Sequence, residues 1–249
     1  MLTDGQVAHF KTFGFLVLRH LFTPEEMDII KQESDEIFQE ARGGAEFSGE
    51  EWQAEQPFFE RRPFMSMLPD DDRIYDIGVD LCGPDFVLDE SEGNLHVGDT
   101  AWHSSKPEGL YSTTGQGFLY TGYSEFSLPN VKIAFYPEPT TRDTGCLRVI
   151  PGSHKVNTPD LLASLRTNNK DPKFRPFGIH PSEIPCYCFE SDPGDVIVFT
   201  ESVLHAAFGG KIGRQQHAVS FFANPTTEDE VLLIKRLYEK AKNSYRPHT

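Results

Sequence analysis

From about Asn94 onward the chain reads as short apolar runs separated by turn residues, and this rhythm restricts the fold more than any other feature. Lys132 to Tyr136, Cys146 to Ile150, Asp195 to Phe199 and His217 to Ala223 span five to seven residues each. Such lengths suit strands and are too short for helices. Bounded by Gly, Pro and polar clusters, they predict an antiparallel double sheet. The 20 Phe, 18 Pro and 20 Gly agree with a β-rich domain carrying long loops, not a helical bundle.

The two ends of the chain read differently. Thr3-Asp4 caps a short helix that ends at Gly14, and Phe15 to Leu18 is a short apolar strand. Thr23-Pro24-Glu25-Glu26 starts a second helix, with Thr23 as cap, Pro24 in the first helical position and Glu26 completing a capping box. Met27, Ile30, Ser34, Ile37 and Phe38 then recur at helical spacing, so one face packs on the core. Ala41 to Gln56 reads as polar loop, and the acidic run Asp70-Asp71-Asp72 as solvated loop surface. A last helix is expected from Thr227 to Ala241, capped by Thr227 and burying Val231, Leu232, Ile234, Leu237 and Tyr238. With no internal repeat and no linker, residues 1–249 are expected to form a single domain with helical additions at about 1–42 and 227–242.

Charge and cysteine content narrow the function. A net charge of −15 argues against nucleic acid or an anionic membrane as partner, since both need a basic face. No stretch approaches the roughly 18 apolar residues of a membrane span, and the N-terminus lacks a secretory pattern. Cys82, Cys146, Cys186 and Cys188 are too sparse for an extracellular disulfide framework. Cys186 and Cys188 share a strand face and read as ordinary core thiols, not a metal pair. A cytoplasmic location is expected.

The candidate chemistry lies on three residues. His205 follows the buried-looking strand Gly194 to Phe199, within Leu204-His205-Ala206-Ala207. Nine residues later Arg214 opens the run to Phe222, where its planar fork can meet a carboxylate at the bottom of a barrel. Ser220 lies on the same strand as a further donor. His103, in Ala101-Trp102-His103-Ser104-Ser105, stands 102 positions before His205. Two such histidines reach one metal only if the sheet folds back on itself, as a jelly roll does.

Taken with Thr144-Gly145-Cys146-Leu147-Arg148-Val149-Ile150-Pro151-Gly152-Ser153-His154, these residues resemble the phytanoyl-CoA dioxygenase-like family of iron(II)- and 2-oxoglutarate-dependent oxygenases. The likeness runs from the opening helix and strand to about Pro225. It implies a mainly β fold with flanking helices, a double-stranded β-helix of the cupin-like jelly-roll kind. It further implies that His103 and His205 bind iron, that Arg214 holds the distal carboxylate of 2-oxoglutarate, and that Ser220 assists.

The family places an aspartate where this chain has Ser105, so Ser105 falls at the centre of the chemistry. Two imidazoles and one carboxylate leave three positions, two for 2-oxoglutarate and one for dioxygen. A neutral serine opens a fourth. Three activities follow, in order of preference. The first is oxidation (hydroxylation) of an unactivated C–H bond of a small molecule, with 2-oxoglutarate decarboxylated to succinate. Water, or a carboxylate from Asp99 or Glu108, then fills the vacated position. The second is halogenation, with chloride in that position, as in related halogenases that carry Gly or Ala there. The third is a catalytically silent 2-oxoglutarate-binding or sensor protein.

Other polar residues carry blander readings. His154 is structural in its Pro-Gly-Ser-His turn, Trp102 packs beside the iron loop, and His96 is an ordinary strand histidine. His217 is either the same or points toward the site. Arg148 clamps a substrate acid or pairs with Asp143 or Asp195. Lys106 to Leu128 is expected to cover the site, making Tyr111, Tyr120 and Tyr123 candidate contacts to a small polar substrate.

Overall fold

The computed structural model describes residues 1–104, 128–155, 162–166, 169–232 and 234–235. Its elements are α1 (Asp4–Phe13), β1 (Phe15–Leu18), α2 (Pro24–Ala41), β2 (Gln53–Glu55), α3 (Asp72–Cys82), β3 (Val87–His96) and β4 (Thr100–His103). They continue with β5 (Asn130–Phe135), β6 (Leu147–Val149), β7 (Tyr187–Phe189), β8 (Val196–Phe199), β9 (His205–Ala207) and β10 (Arg214–Phe222). A major sheet has the order β1-β8-β5-β10-β3-β2 and a minor sheet the order β4-β9-β6-β7. Every pairing is antiparallel, so the mainly β, two-sheet jelly-roll arrangement expected from the apolar rhythm is the observed one.

Local chemistry explains the helices. The Thr3 and Thr23 hydroxyls accept from the Gln6 and Glu26 amides, and both helices carry complete capping boxes. The buried residues of α2 are Met27, Ile30, Ser34, Ile37 and Phe38, the face read from their spacing. The acidic run needs correction. Asp71 is the N-cap of α3, accepting from the Arg73 amide, and with Glu26 it grips the Arg73 guanidinium at 2.7 Å each. Strand β2 also lies inside the stretch read as loop. Thr227 caps the C-terminal helix as expected, accepting from Glu230 N, and Ile234 packs on Leu128 and Phe222; residues 236–241 fall outside the described ones.

Period-two alternation sorts the major sheet into two environments. One face, with Val131, Ile133, Phe135, Val219 and Phe221, packs against α2 and α3 residues such as Ile30, Ile37 and Ile77. The other face, with Ala134, Ile197, Phe199 and Ala218, meets Leu147 and Val149 of the minor sheet. The interior between the sheets is where the candidate site lies.

Candidate active site

Strands β4 and β9 are paired with His103 opposite His205, so the two imidazoles share one face of the minor sheet. Their ring centroids are 4.1 Å apart. A register shift between Thr100 and His103 fits two residues of β4 against one of β9. This bulge re-aims His103 while Trp102 turns to the outer side, fully buried against Leu204, Ala206 and Phe208. His103 thus belongs to the end of a strand.

Each imidazole is tethered by its own backbone. His103 Nδ1 donates to the Ala101 carbonyl at 2.8 Å, and His205 Nδ1 to the Val203 carbonyl at 2.9 Å. A carbonyl only accepts, so Nδ1 carries the proton and Nε2 keeps its lone pair. Burial lowers both pKa values below the ordinary imidazole range, that of His205 well below. Two neutral rings with Nε2 available are what a divalent metal requires of histidine. Among the described residues no group of three His, Cys, Asp or Glu could hold a metal. Asp99, weighed as a substitute ligand, is turned to the Gly209 and Gly210 amides at 2.7 and 3.2 Å. Ser105, Glu108, Tyr111, Tyr120 and Tyr123 lie outside the described residues.

Arg214 opens β10 and is 4% exposed. Its guanidinium lies 5.8 Å from the Tyr136 ring centroid, and Nε and Nη2 have no hydrogen-bond partner among the described residues. Gly145 makes room for it. A Cβ there would sit 2.7 Å from Arg214 Nε, and the backbone φ of +91° suits glycine. A buried cation with two idle donors calls for an anion. His96, paired with Arg214, connects the two parts of the site. Burial pushes its pKa to about 4, with Arg214 and His103 pressing the same way.

The inner face of the major sheet also carries a charged row that sequence reading missed. Ser220 pairs with Lys132 on one side and Glu90 on the other, and Lys132 pairs with Phe199, whose ring lies 5.1 Å from that of His205. Lys132 Nζ contacts Glu90, Glu92 and Glu201 at 3.0, 3.2 and 3.4 Å. Burial opposes its charge, yet Glu92, Glu201 and Glu90 hold its pKa well above the ordinary lysine value.

Two assignments change here, and the choice left open for His217 closes. Ser220 is six residues along β10 from Arg214, roughly 20 Å at the rise of a strand, and donates to Glu201 at 3.3 Å; it does not share the guanidinium's ligand. Arg148 pairs with Ala206 and Cys188, one step out of phase with the Val149–His205 pair, so it points to the outer side. There it donates to the Ser182 and Arg142 carbonyls at 2.7 and 2.8 Å, clamping backbone and neither a substrate acid nor Asp143 or Asp195. Asp195 is held instead by Arg19 at 2.6 Å. His217 points away from the site, into the α2-facing core among Phe38, Phe58 and Phe135.

Comparisons with known proteins agree with this architecture. The family model described as phytanoyl-CoA dioxygenase (PhyH) matches residues 92–214, a stretch that runs from Glu92 through both histidines to Arg214. No curated protein matches the chain. Among solved structures, HygX from Streptomyces hygroscopicus, with nickel and 2-oxoglutarate bound, aligns at TM-score 0.67 and 22% identity, over 91% of this chain and 89% of that one. The non-heme alpha ketoglutarate dependent carbocyclase SnoK from nogalamycin biosynthesis aligns at 0.62 and 16%, over 93% and 90%. EctD from S. alaskensis, with 2-oxoglutarate and 5-hydroxyectoine, aligns at 0.61 and 18%, over 89% and 76%. The chain therefore shares the jelly-roll fold of HygX, SnoK and EctD, and the phytanoyl-CoA dioxygenase model matches just under half of its length.

Proposed function

We propose that this chain is a non-heme iron(II)- and 2-oxoglutarate-dependent oxygenase that oxidises an unactivated C–H bond of a small molecule with dioxygen, within a single jelly-roll domain. The observation that carries the reading is a pair of neutral imidazoles presenting Nε2 in a barrel whose buried arginine has two donors to spare. The 2-oxoglutarate present in the HygX and EctD structures supports it. Iron(II) and 2-oxoglutarate together supply an oxidant from dioxygen, with succinate and carbon dioxide released.

The chain's own residues have separate tasks. His103 and His205 hold the metal, their rings fixed by the Ala101 and Val203 carbonyls. Arg214, seated over Tyr136, binds the carboxylate of 2-oxoglutarate farther from the metal. Phe199 backs His205 and keeps water from that side. Arg214→Ala should weaken 2-oxoglutarate binding about 100-fold, the cost of removing one partner of a buried charged pair. Calorimetry on metal-loaded protein measures this, and unchanged affinity in the variant would overturn the assignment.

One observation favours a second reading. No third protein ligand is found among the described residues, and by the family resemblance Ser105 falls where an aspartate is expected. Chloride in that position would make the enzyme a halogenase. Product masses from reactions with chloride or bromide separate the two, because a halogenase transfers whichever halide is supplied. A gain of one oxygen under both salts selects hydroxylation.

A further inference from the structure

We infer that Trp52 is a positioning residue of the anion pocket around Arg214, and that its indole, acting through His96, forms the solvent-side wall of that pocket. The inference rests on the proposed role of Arg214 in binding 2-oxoglutarate.

The register of three strands makes the case. Strand β2 pairs with β3 through Gln53–Leu95 and Ala54–Asn94, which sets Trp52 opposite His96 one step farther out. His96 in turn pairs with Arg214 of β10. Residues opposite one another across neighbouring strands share a face, so Trp52, His96 and Arg214 form one row on the inner side of the sheet. Exposure falls along it from 58% at Trp52 through 9% at His96 to 4% at Arg214. The row leads from solvent to the idle guanidinium donors.

The indole is held in place at two points. It stacks on the His96 ring with centroids 5.6 Å apart and planes 8° from parallel, and Nε1 donates to the buried Asn94 Oδ1 at 3.2 Å. His96 is fixed from its other side, with Nε2 3.1 Å from Gln216 Oε1, two residues past Arg214 on the same face. An exposed tryptophan locked onto the neighbour of a buried cation with two donors unpartnered among the described residues is informative in a way that a scattered surface apolar residue is not. Its second independent support is Arg214 itself, whose Nε and Nη2 await an acceptor. A dicarboxylate with one carboxylate on Arg214 would thus lie beside the His96–Trp52 stack, shielded there from water.

The chain offers its own reporters. Of its two tryptophans, Trp102 is 1% exposed and beside His103, whereas Trp52 is 58% exposed and beside His96. Anaerobic, nickel-loaded protein titrated with 2-oxoglutarate should change the long-wavelength emission that belongs to Trp52. Trp52→Ala should weaken 2-oxoglutarate binding about threefold to tenfold, the scale of one lost aromatic stack, and Trp52→Phe should restore it to within about twofold. Nickel affinity and thermal midpoint should stay at wild-type values in both variants, which a merely structural role would not allow. Wild-type protein that binds 2-oxoglutarate while Trp52→Ala binds it equally well overturns this inference alone. Wild-type protein that binds no 2-oxoglutarate overturns the proposed function and the inference with it.

Discussion

Two kinds of buried histidine occupy different sheets, His103 and His205 on the inner face of the minor sheet and His217 on the outer face of the major sheet. On the inner side, His103 and His205 each tie Nδ1 to a carbonyl two residues back and leave Nε2 directed into shared space. On the outer side, His217 is fully buried between Phe38, Phe58 and Phe135, and neither ring nitrogen has a partner among the described residues. Burial keeps all three neutral, pushing His217 down to about 3. Neutrality is therefore common to both settings. A ligand-ready ring is set apart by a backbone tether that fixes one tautomer, and a second ring at the same spot.

The inner side should prove the less forgiving. Lys132→Met leaves Glu90, Glu92 and Glu201 without their shared counter-charge, and stability should fall by about 3–5 kcal/mol. Burial already raises the Glu90 and Glu201 pKa values, so the deficit should grow as pH rises and shrink in mild acid as they take up protons. Urea denaturation at two pH values checks this, and a pH-independent loss would show that the carboxylates do not feel one another. On the outer side, Gly93 pairs with His217, and a Cβ at Gly93 would fall 2.3 Å from the Phe58 ring. Gly93→Ala should cost about 1–3 kcal/mol by overpacking, read as a lower urea midpoint at unchanged slope.

The smallest effect has the opposite sign. His217→Leu removes two unsatisfied ring nitrogens and should stabilise the protein by about 1 kcal/mol at neutral pH. In the wild type the unfolded chain takes up a proton below the ordinary histidine pKa of 6.5, while the folded chain resists until about 3. Stability present above pH 6.5 is therefore lost as pH falls toward 3, and the variant should lack that component. Thermal midpoints of the two proteins that run parallel from pH 8 to pH 5 would refute it.

What the sequence revealed, and what it hid, follows the same division. Capping boxes at Thr3 and Thr23 are local chemistry and legible residue by residue. Strands β5, β8 and β10 bury apolar side chains on both sides and appear as apolar runs. Strand β3 escaped notice down to Asn94 because neither of its faces is apolar. Its inner residues Glu90, Glu92, Asn94 and His96 line the site, and its outer Ser91 and Gly93 are small so that Phe58 can lie over them. The candidate site was likewise half visible. His103, His205 and Arg214 stand out by type and spacing, and the structure pairs the two histidines, but Ser220 was misplaced because sharing a strand face says nothing about distance along it. Arg148 was misjudged by one step of alternation, and for His217 the same step decides between the two readings the sequence leaves open. Trp52 left no trace, since it precedes a three-residue edge strand inside a polar stretch.

The N-terminal segment has a practical consequence for anyone shortening this protein. Phe15 to Leu18 hydrogen-bonds the full length of Val196 to Phe199, Thr200 N donates to the Gly14 carbonyl and Gly152 N to that of Phe13. Trimming the first eighteen residues would bare the edge of the strand whose Phe199 props His205, inviting edge-to-edge association between molecules and loosening the proposed metal ligand nearly two hundred positions downstream.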